Sequence, residues 1–487
     1  MADPIGRNKE EPAAEEKPLI VDMDGTLLRT DVLFEGIAKA FFSRPFATLD
    51  ALRLLVTTSR AAFKRRIAEL SELDLSLLPM RQDFVAHLQS ERGRGREIHL
   101  YTAADHDTAT KVAEHVGLFD SVRGTTGPVN LKGKNKLAEI RDRFPRGFTY
   151  AGDSHADVHI WQGAEGIVLA GASSGVVRRA KALGKPVEAE FSHGGRLSAW
   201  WRALRVHQWT KNLLIYIPLL LSPLYADPRA LMASGLGFII LSLVASGCYL
   251  VNDLADLAAD RRHRSKRERP LAAGDLPIQH AAIAAPLLIG LGLVAALVLS
   301  PAFAAGLLLY VVTTLSYSLR LKRVPLLDVF LLGSLYTLRL IMGTLLIGVT
   351  LSAWLLTFSM FFFVAMSLAK RHAELENAQA GVERRIAGRG YLASDAPLTL
   401  ALGISLTTAS NLILVLYMVE EAFPSGLYSA SGWLWAAPLL VSLWTMRIWL
   451  LAHRGELDDD PVAFAIRDRI SLGLGVLLAL AFMVARL

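Results

Sequence analysis

The chain has 487 residues, 52% of them apolar, with a formal net charge of +7 and a positive mean hydropathy. This is too apolar for a wholly water-soluble protein and too long for one ordinary domain, so part of it is expected in a bilayer. The single cysteine, Cys248, excludes a disulfide framework.

In chain order, residues 1–17 are polar and acidic with no apolar core, and are expected to be a flexible tail rather than a secretory signal. "KPLIVDMDGTLLRTD" then reads as an apolar strand running into an acid pair and a turn. Further apolar strands are expected at "EIHLYTAAD", "GFTYAGDSHAD" and "EGIVLAGA", with helix-period segments between them. Such alternation predicts a doubly wound α/β domain over residues 18–192, with ligands at the carboxyl ends of the strands. The polar residues fall there: Asp22 and Asp24 after the first strand, Thr102 after the second, Asp153 and Asp157 after the third. Acids gathered from neighbouring strand ends suit a hard cation such as Mg²⁺.

DxDGT, Thr102, a lysine and GDSxxD occur in the order found in the haloacid dehalogenase (HAD) superfamily of phosphatases, which this segment resembles. The resemblance implies a Rossmann-like domain with Asp22 as the nucleophile, Asp24 as general acid and base, and Thr102 holding the phosphoryl group. It also implies Mg²⁺ held by Asp22, Asp24 and Asp153, with Asp157 ordering the site. Lys132, Lys134 and Lys136 all compete for the lysine's role, and Lys136, at the start of an expected helix, is favoured. The helical stretch of about residues 30–96 is expected to be a cap.

After a linker at 193–204, about nine apolar segments follow within 205–487: 212–224, 229–251, 281–300, 302–317, 326–349, 351–368, 398–419, 431–450 and 470–485. They predict an all-α polytopic membrane domain. With Arg202, Arg205 and Lys211 on the cytoplasmic side, alternate loops such as "DRRHRSKRER", "RLKR" and "KRHAELENAQAGVERRIAGR" fall inside. The opposite loops hold a single arginine, Arg229. This asymmetry predicts a cytoplasmic position for the basic loops and the α/β domain.

At "YLVNDLADLAADRRHRSKRERPLAAG", Asp253, Asp256 and Asp260 recur at three- and four-residue spacing with Asn252 beside them. That spacing puts them on one helix face, where they repel one another unless a cation joins them. Mg²⁺ carrying a diphosphate would satisfy the acids. Arg261, Arg262, Arg264, Lys266, Arg267 and Arg269 could then reach the outer phosphate oxygens.

This pattern resembles the UbiA superfamily of intramembrane prenyltransferases over about residues 198–487. A second element, "YSLRLKRVPLLDVFLL", supplies Tyr317, Lys322 and Asp328, but Leu332 stands where a further acid would be. The donor is therefore not required to be a prenyl diphosphate. "RVHQWTKNLLIYIPLLLS", "SLAKRHAELENA" and "RGY" resemble the polyprenyl-phosphate phosphoribosyltransferase branch, which serves arabinan assembly in some bacterial envelopes. The resemblance implies phosphoribosyl pyrophosphate as donor and a polyprenyl (decaprenyl) phosphate as acceptor. Lys211, Lys322, Lys370, Arg371 and Arg389 would bind the donor's phosphates, with Tyr391 nearby. Each base taken singly also fits a snorkelling interfacial cation.

The combined expectation is a bifunctional enzyme of the bacterial cytoplasmic membrane with Mg²⁺ in both domains, making polyprenyl-phosphoryl 5-phosphoribose and then removing the 5-phosphate. Its partners would be the lipid phosphate, phosphoribosyl pyrophosphate and the bilayer, with no nucleic acid and the oligomeric state open. One alternative is prenyl transfer to an aromatic or other small acceptor beside an independent phosphatase. Another is a non-catalytic sensor joined to a lipid binder or transporter.

Overall fold

The computed structural model describes residues 17–58, 60–126, 130–192, 194–379, 389–457 and 460–487; nearly all of the expected tail lies outside these. The chain forms two compact units, one of residues 1–203 with 253–282, the other of residues 204–252 with 283–487.

In the first unit a six-stranded sheet has the order β3-β2-β1-β4-β5-β6, with every pairing parallel. The strands are β1 Leu19–Val21, β2 Ile98–Asp105, β3 Ser121–Thr125, β4 Thr149–Gly152, β5 Gly166–Ala170 and β6 Val187–Phe191. Helices cover both faces, so the inner strands β1 and β5 are apolar throughout, and successive side chains enter opposite cores. Leu19 and Val21 pack on one side with Leu100, Ala151 and Val168. Ile20 packs on the other with Tyr101, Tyr150 and Ile167. The chain turns to opposite sides of β1 for β2 and β4, which opens a crevice at the carboxyl end of β1.

Helices Val32–Ser43, Pro45–Thr57 and Arg60–Ser71 follow the first acid pair. They close a small core of Ala40, Ala51, Phe63, Ile67 and Leu70, separate from the two sheet cores. Asp31 caps the first of them, accepting from the amides of Leu33 and Phe34. This helical group is shorter than the 30–96 expected of a cap. Helix Gln82–Gly93 places Phe84 and Leu88 in the sheet core and therefore belongs to the α/β body.

Residues 253–282, expected in the membrane domain, cluster with this unit instead. Their charges explain it. Arg261 forms a two-pronged ion pair with Glu35, both nearly buried. Asp275 accepts from Arg29 and Arg202.

The second unit is helical, and among the described residues eight helices are long and apolar enough to cross a membrane. The first expected segment, 212–224, is not among them. It folds as a 3₁₀ stretch Val206–Tyr216, a short helix Ile217–Leu220 and a turn Pro223–Ala226. Pro218 and Pro223 cannot donate to a continuous ladder, and the apolar run is well short of the ~20 residues that span hydrocarbon. Helix Ile278–Leu299 exposes Ile283, Leu287, Leu291, Val294 and Val298 along one stripe. Such a face suits lipid.

Candidate functional site

In the first unit the acids predicted at strand ends meet in a cleft of about 1160 Å³. Gly25, just after the second acid of the pair, has φ +78°, and a Cβ there would lie 2.4 Å from Asp153 Oδ2. Only glycine lets the loop after β1 pass this close to the acid after β4. Oxygens of Asp22, Asp153 and Asp157 all lie within 4.8 Å of one another, the arrangement of a hard-cation site.

Among the three candidate lysines, Lys136 is buried with its Nζ 2.9 Å from Asp22 Oδ1, whereas Lys132 and Lys134 are exposed. Lys136 also donates to the Tyr150 hydroxyl at 3.0 Å, and that hydroxyl donates to Asp157 Oδ1 at 2.9 Å. Asp157 Oδ2 accepts from the Ser154 amide and hydroxyl. Asp157 is thus held from both sides. Thr102 is wholly buried, with Oγ1 accepting from the Ala104 amide.

Asp24 stands apart from the three-acid group. Its Oδ1 accepts from the Val32 amide at the start of the cap, where a helix N-terminus favours a carboxylate. Burial, followed by the neighbouring Asp31 carboxylate, pushes the Asp24 carboxyl well above its usual range. Burial, then Asp157 and Asp22, does the same to Asp153. Burial also raises Asp22, against the pull of Lys136. The cleft holds more acid than Lys136 can balance, which is what a site built for a divalent cation requires. Lys64 of the cap lines the same cleft, with its Nζ 2.8 Å from the Ala103 carbonyl. Sequence reading missed Lys64 and Tyr150, because neither belongs to a strand-end motif.

The acid-rich loop is less regular than its spacing predicts. The long helix ends at Ala255 and a short one starts at Leu257, so the helix is interrupted at Asp256, yet Asp253 and Asp260 still reach one and the same nitrogen of Arg269. Arg269 bridges Asp253 at 3.2 Å and Asp260 at 2.7 Å. These two carboxylates therefore demand a cation between them, which Arg269 supplies. Asn252 and Asp256 are half-buried and Arg267 is exposed.

In the second unit the predicted residues converge on Asp328, which is fully buried. Its carboxylate pairs with Arg371 at 3.1 Å and Arg389 at 3.3 Å, and accepts from the Tyr391 hydroxyl at 2.7 Å. Arg389 also donates to the Tyr317 hydroxyl at 3.2 Å. Glu374, one turn after Lys370, pairs with Arg371 and lies 3.8 Å from Arg389. Lys322 sits in a turn, half-buried.

A second polar group adjoins Lys211, which lies 3.3 Å from Asp460. The Tyr336 hydroxyl donates to Asp460, and Lys370 lies within the field of both Asp460 and Lys211. Burial alone would raise the Asp460 carboxyl, but Lys211 and then Lys370 hold it below the ordinary range. Arg339, nearly buried, donates to Asn212 at 2.9 Å and to the Tyr310 hydroxyl at 3.2 Å. Sequence reading missed Asp460, Glu374, Tyr336 and Arg339. A buried arginine in an apolar span was the available signal.

The sequence profile of the UbiA prenyltransferase family matches residues 215–473. The chain belongs to that family. It is 42% identical to the uncharacterised protein y4nM of Sinorhizobium fredii, over 96% of this chain and 91% of that one. It is 32% identical to decaprenyl-phosphate phosphoribosyltransferase of Mycobacterium tuberculosis, over 55% of this chain and 88% of that one. Among solved structures it resembles a UbiA homolog from Archaeoglobus fulgidus bound to DMAPP and Mg²⁺. That likeness is 17% identical with a TM-score of 0.45, over 59% of this chain and 97% of that one.

Proposed function

We propose that the chain transfers 5-phosphoribose from phosphoribosyl pyrophosphate to a polyprenyl phosphate, and that its N-terminal domain is a HAD-type phosphatase that then removes the 5-phosphate. The observation that carries the first step is the state of Asp328. Two arginines and a tyrosine already balance it, and Leu332 follows where a second acid would be, so this helix is poorly suited to a second metal clamp. The surrounding cations suit a donor bearing a phosphate besides its diphosphate. Likeness to decaprenyl-phosphate phosphoribosyltransferase over most of that protein's length supports transfer of a phosphoribosyl group to a polyprenyl phosphate.

In this reading Lys211, Lys322, Lys370, Arg371 and Arg389 hold donor phosphates, and Tyr317 and Tyr391 orient the arginines. Asp253, Asp256 and Asp260, with Asn252 beside them and Arg267 on the following loop, are assigned to the diphosphate's Mg²⁺ and outer oxygens. When bound, Mg²⁺ would neutralise the leaving diphosphate. A lipid phosphate oxygen attacks ribose C1 as the bond from C1 to the diphosphate oxygen breaks, and diphosphate leaves. The acceptor is already anionic and needs no strong base.

In the phosphatase, Asp22, Asp153 and Asp157 would hold Mg²⁺, which would draw charge from the phosphoryl oxygens. The Asp22 carboxylate attacks phosphorus while Asp24 gives a proton to the departing ribose oxygen. Asp24 then takes a proton from water, which attacks the aspartyl phosphate and frees phosphate. Lys136 and Thr102 hold the transferring group. The basic loops and the charged α/β domain favour a cytoplasmic position at the inner membrane of a bacterium.

The test is to incubate the purified chain with Mg²⁺, polyprenyl phosphate and ribose-labelled phosphoribosyl pyrophosphate, beside Asp22→Asn. Lipid-linked ribose from the wild type and lipid-linked phosphoribose from the variant support both steps. Phosphoribose from both proteins removes the phosphatase step. No label in lipid removes the donor and turns attention to prenyl transfer.

A further inference from the structure

Helix Ala353–Gln379 continues past Lys370 and Arg371 to a group that the proposed chemistry does not use. His372 and Glu376 lie one turn apart on it, and His453 stands at the end of helix Ala436–His453. His372 Nε2 is 3.4 Å from Glu376 Oε1 and 3.4 Å from His453 Nδ1. His453 Nδ1 is 3.8 Å from the same carboxylate oxygen. A tetrahedral ion with bonds of about 2.0–2.2 Å holds its ligand atoms about 3.3–3.6 Å apart. Three atoms on three side chains already stand close to that spacing.

The hydrogen bonds of His372 give an independent reason for a cation. Its Nδ1 lies 3.2 Å from the Ala396 carbonyl, which can only accept, and 3.3 Å from the Thr399 hydroxyl. That hydroxyl spends its own proton on the same carbonyl. Nδ1 therefore carries the proton, and in the neutral ring the Nε2 lone pair points at a carboxylate oxygen and another imidazole. This backbone-anchored tautomer is the usual support of a metal-bound histidine. A lone pair facing a carboxylate is repulsive unless a proton from His453 Nδ1, at 3.4 Å, or a metal ion joins them. A metal ion satisfies both rings and the carboxylate together. His453, 62% exposed at its side chain, leaves a route for the ion and room for a water as fourth ligand.

We propose that His372, Glu376 and His453 form a site for a divalent transition-metal ion of the Zn²⁺ or Co²⁺ type, distinct from the carboxylate sites assigned to Mg²⁺. Two imidazoles and one carboxylate are the ligand set such ions prefer. The ion ties the ends of two helices together and fixes the turn that presents Lys370, Arg371 and Glu374. Its role is positional.

The test uses the full chain without a histidine tag, stripped with chelator and titrated with Co²⁺ in millimolar Mg²⁺ to saturate the carboxylate sites. The expected result is one equivalent of Co²⁺ with the intense visible absorption of a four-coordinate ion. In His453→Gln, whose position is exposed and tolerant, affinity falls at least about tenfold and the absorption is lost. Glu376→Gln behaves likewise while keeping side-chain size. Zn²⁺ raises the thermal midpoint of the wild type but not of either variant. Equal binding by wild type and variants, or no binding by a wild type that elutes as one species, overturns the site and leaves a protonated histidine paired with glutamate.

Discussion

Asp328 and Arg371 face each other at 3.1 Å with neither side chain exposed to solvent. Breaking such a pair from one side leaves a buried charge unpaired, at a cost of about 3–5 kcal/mol, whereas replacing both partners by apolar residues of similar size is often neutral. Asp328→Ala is therefore expected to lower stability by about that amount. Asp328→Leu combined with Arg371→Met should recover the part due to this pair, with Arg389 and Glu374 left to each other at 3.8 Å, while labelled lipid is no longer formed. Thermal unfolding in detergent, run beside the lipid assay, separates the two effects. Recovery of transfer together with stability would show that the pair only holds the fold.

Gly25 gives a way to disable one site alone. Alanine there must adopt φ +78° and would place Cβ 2.4 Å from Asp153. The acid must move, and the three-acid group opens. Gly25→Ala should accumulate lipid-linked phosphoribose with total labelled lipid within about twofold of wild type, since local strain of a few kcal/mol falls on the loop after β1 and on Asp153, which it touches. Normal dephosphorylation by this variant would mean that the acids need not approach as closely as they do.

Tyr150 joins Lys136 to Asp157 through one hydroxyl, accepting from the first and donating to the second. Burial and then the Asp157 carboxylate push its phenol well up, so it remains a donor near neutral pH. Tyr150→Phe keeps the ring and deletes both bonds. Hydrogen bonds to charged groups contribute about 1.5–3 kcal/mol, so the rate of phosphate release should fall roughly ten- to a hundredfold. Single-turnover dephosphorylation of lipid-linked phosphoribose measures it. A change below twofold would leave Lys136 and Asp22 as the whole of the working contact.

Much of this was readable from sequence where a short-range rule governs the structure. Inner strands such as Leu19–Val21 are apolar runs followed by acids, and Lys136 stands out as an early residue of its helix. Edge strands β3 and β6 were missed: "SVRGT" and "VEAEF" mix polar residues into half-exposed positions, and their pairing is set by the sheet. Helical spacing marked Asp253 and Asp260 as acids in need of a cation but did not name Arg269, which reaches both from the loop after the helix. The polar networks around Asp328 and Lys211 join residues as far apart as Lys211 and Asp460. Charge at a helix end signals that a partner exists, but only tertiary packing names it.

Asp460 offers the clearest pH signature. In an unfolded chain an aspartate titrates near ~3.9. In the fold burial opposes ionisation, yet Lys211 and Lys370 hold the carboxyl below that value. A lowered folded value means that its contribution is fully present above the unfolded value and is lost as pH falls through the folded one. Asp460→Asn can keep the cap on the Val462 amide and the bond from Tyr336 while removing the charge. The Lys211 and Asp460 side chains are 15% and 20% exposed, so solvent screens part of the pair and the expected loss is about 1–2 kcal/mol. The gap in thermal midpoint between wild type and variant should hold steady from pH 7 to pH 5 and narrow only below about pH 4. A gap independent of pH down to that point and beyond would assign the effect to packing. A gap that narrows above pH 5 would show that the lysines do not hold the carboxylate ionised.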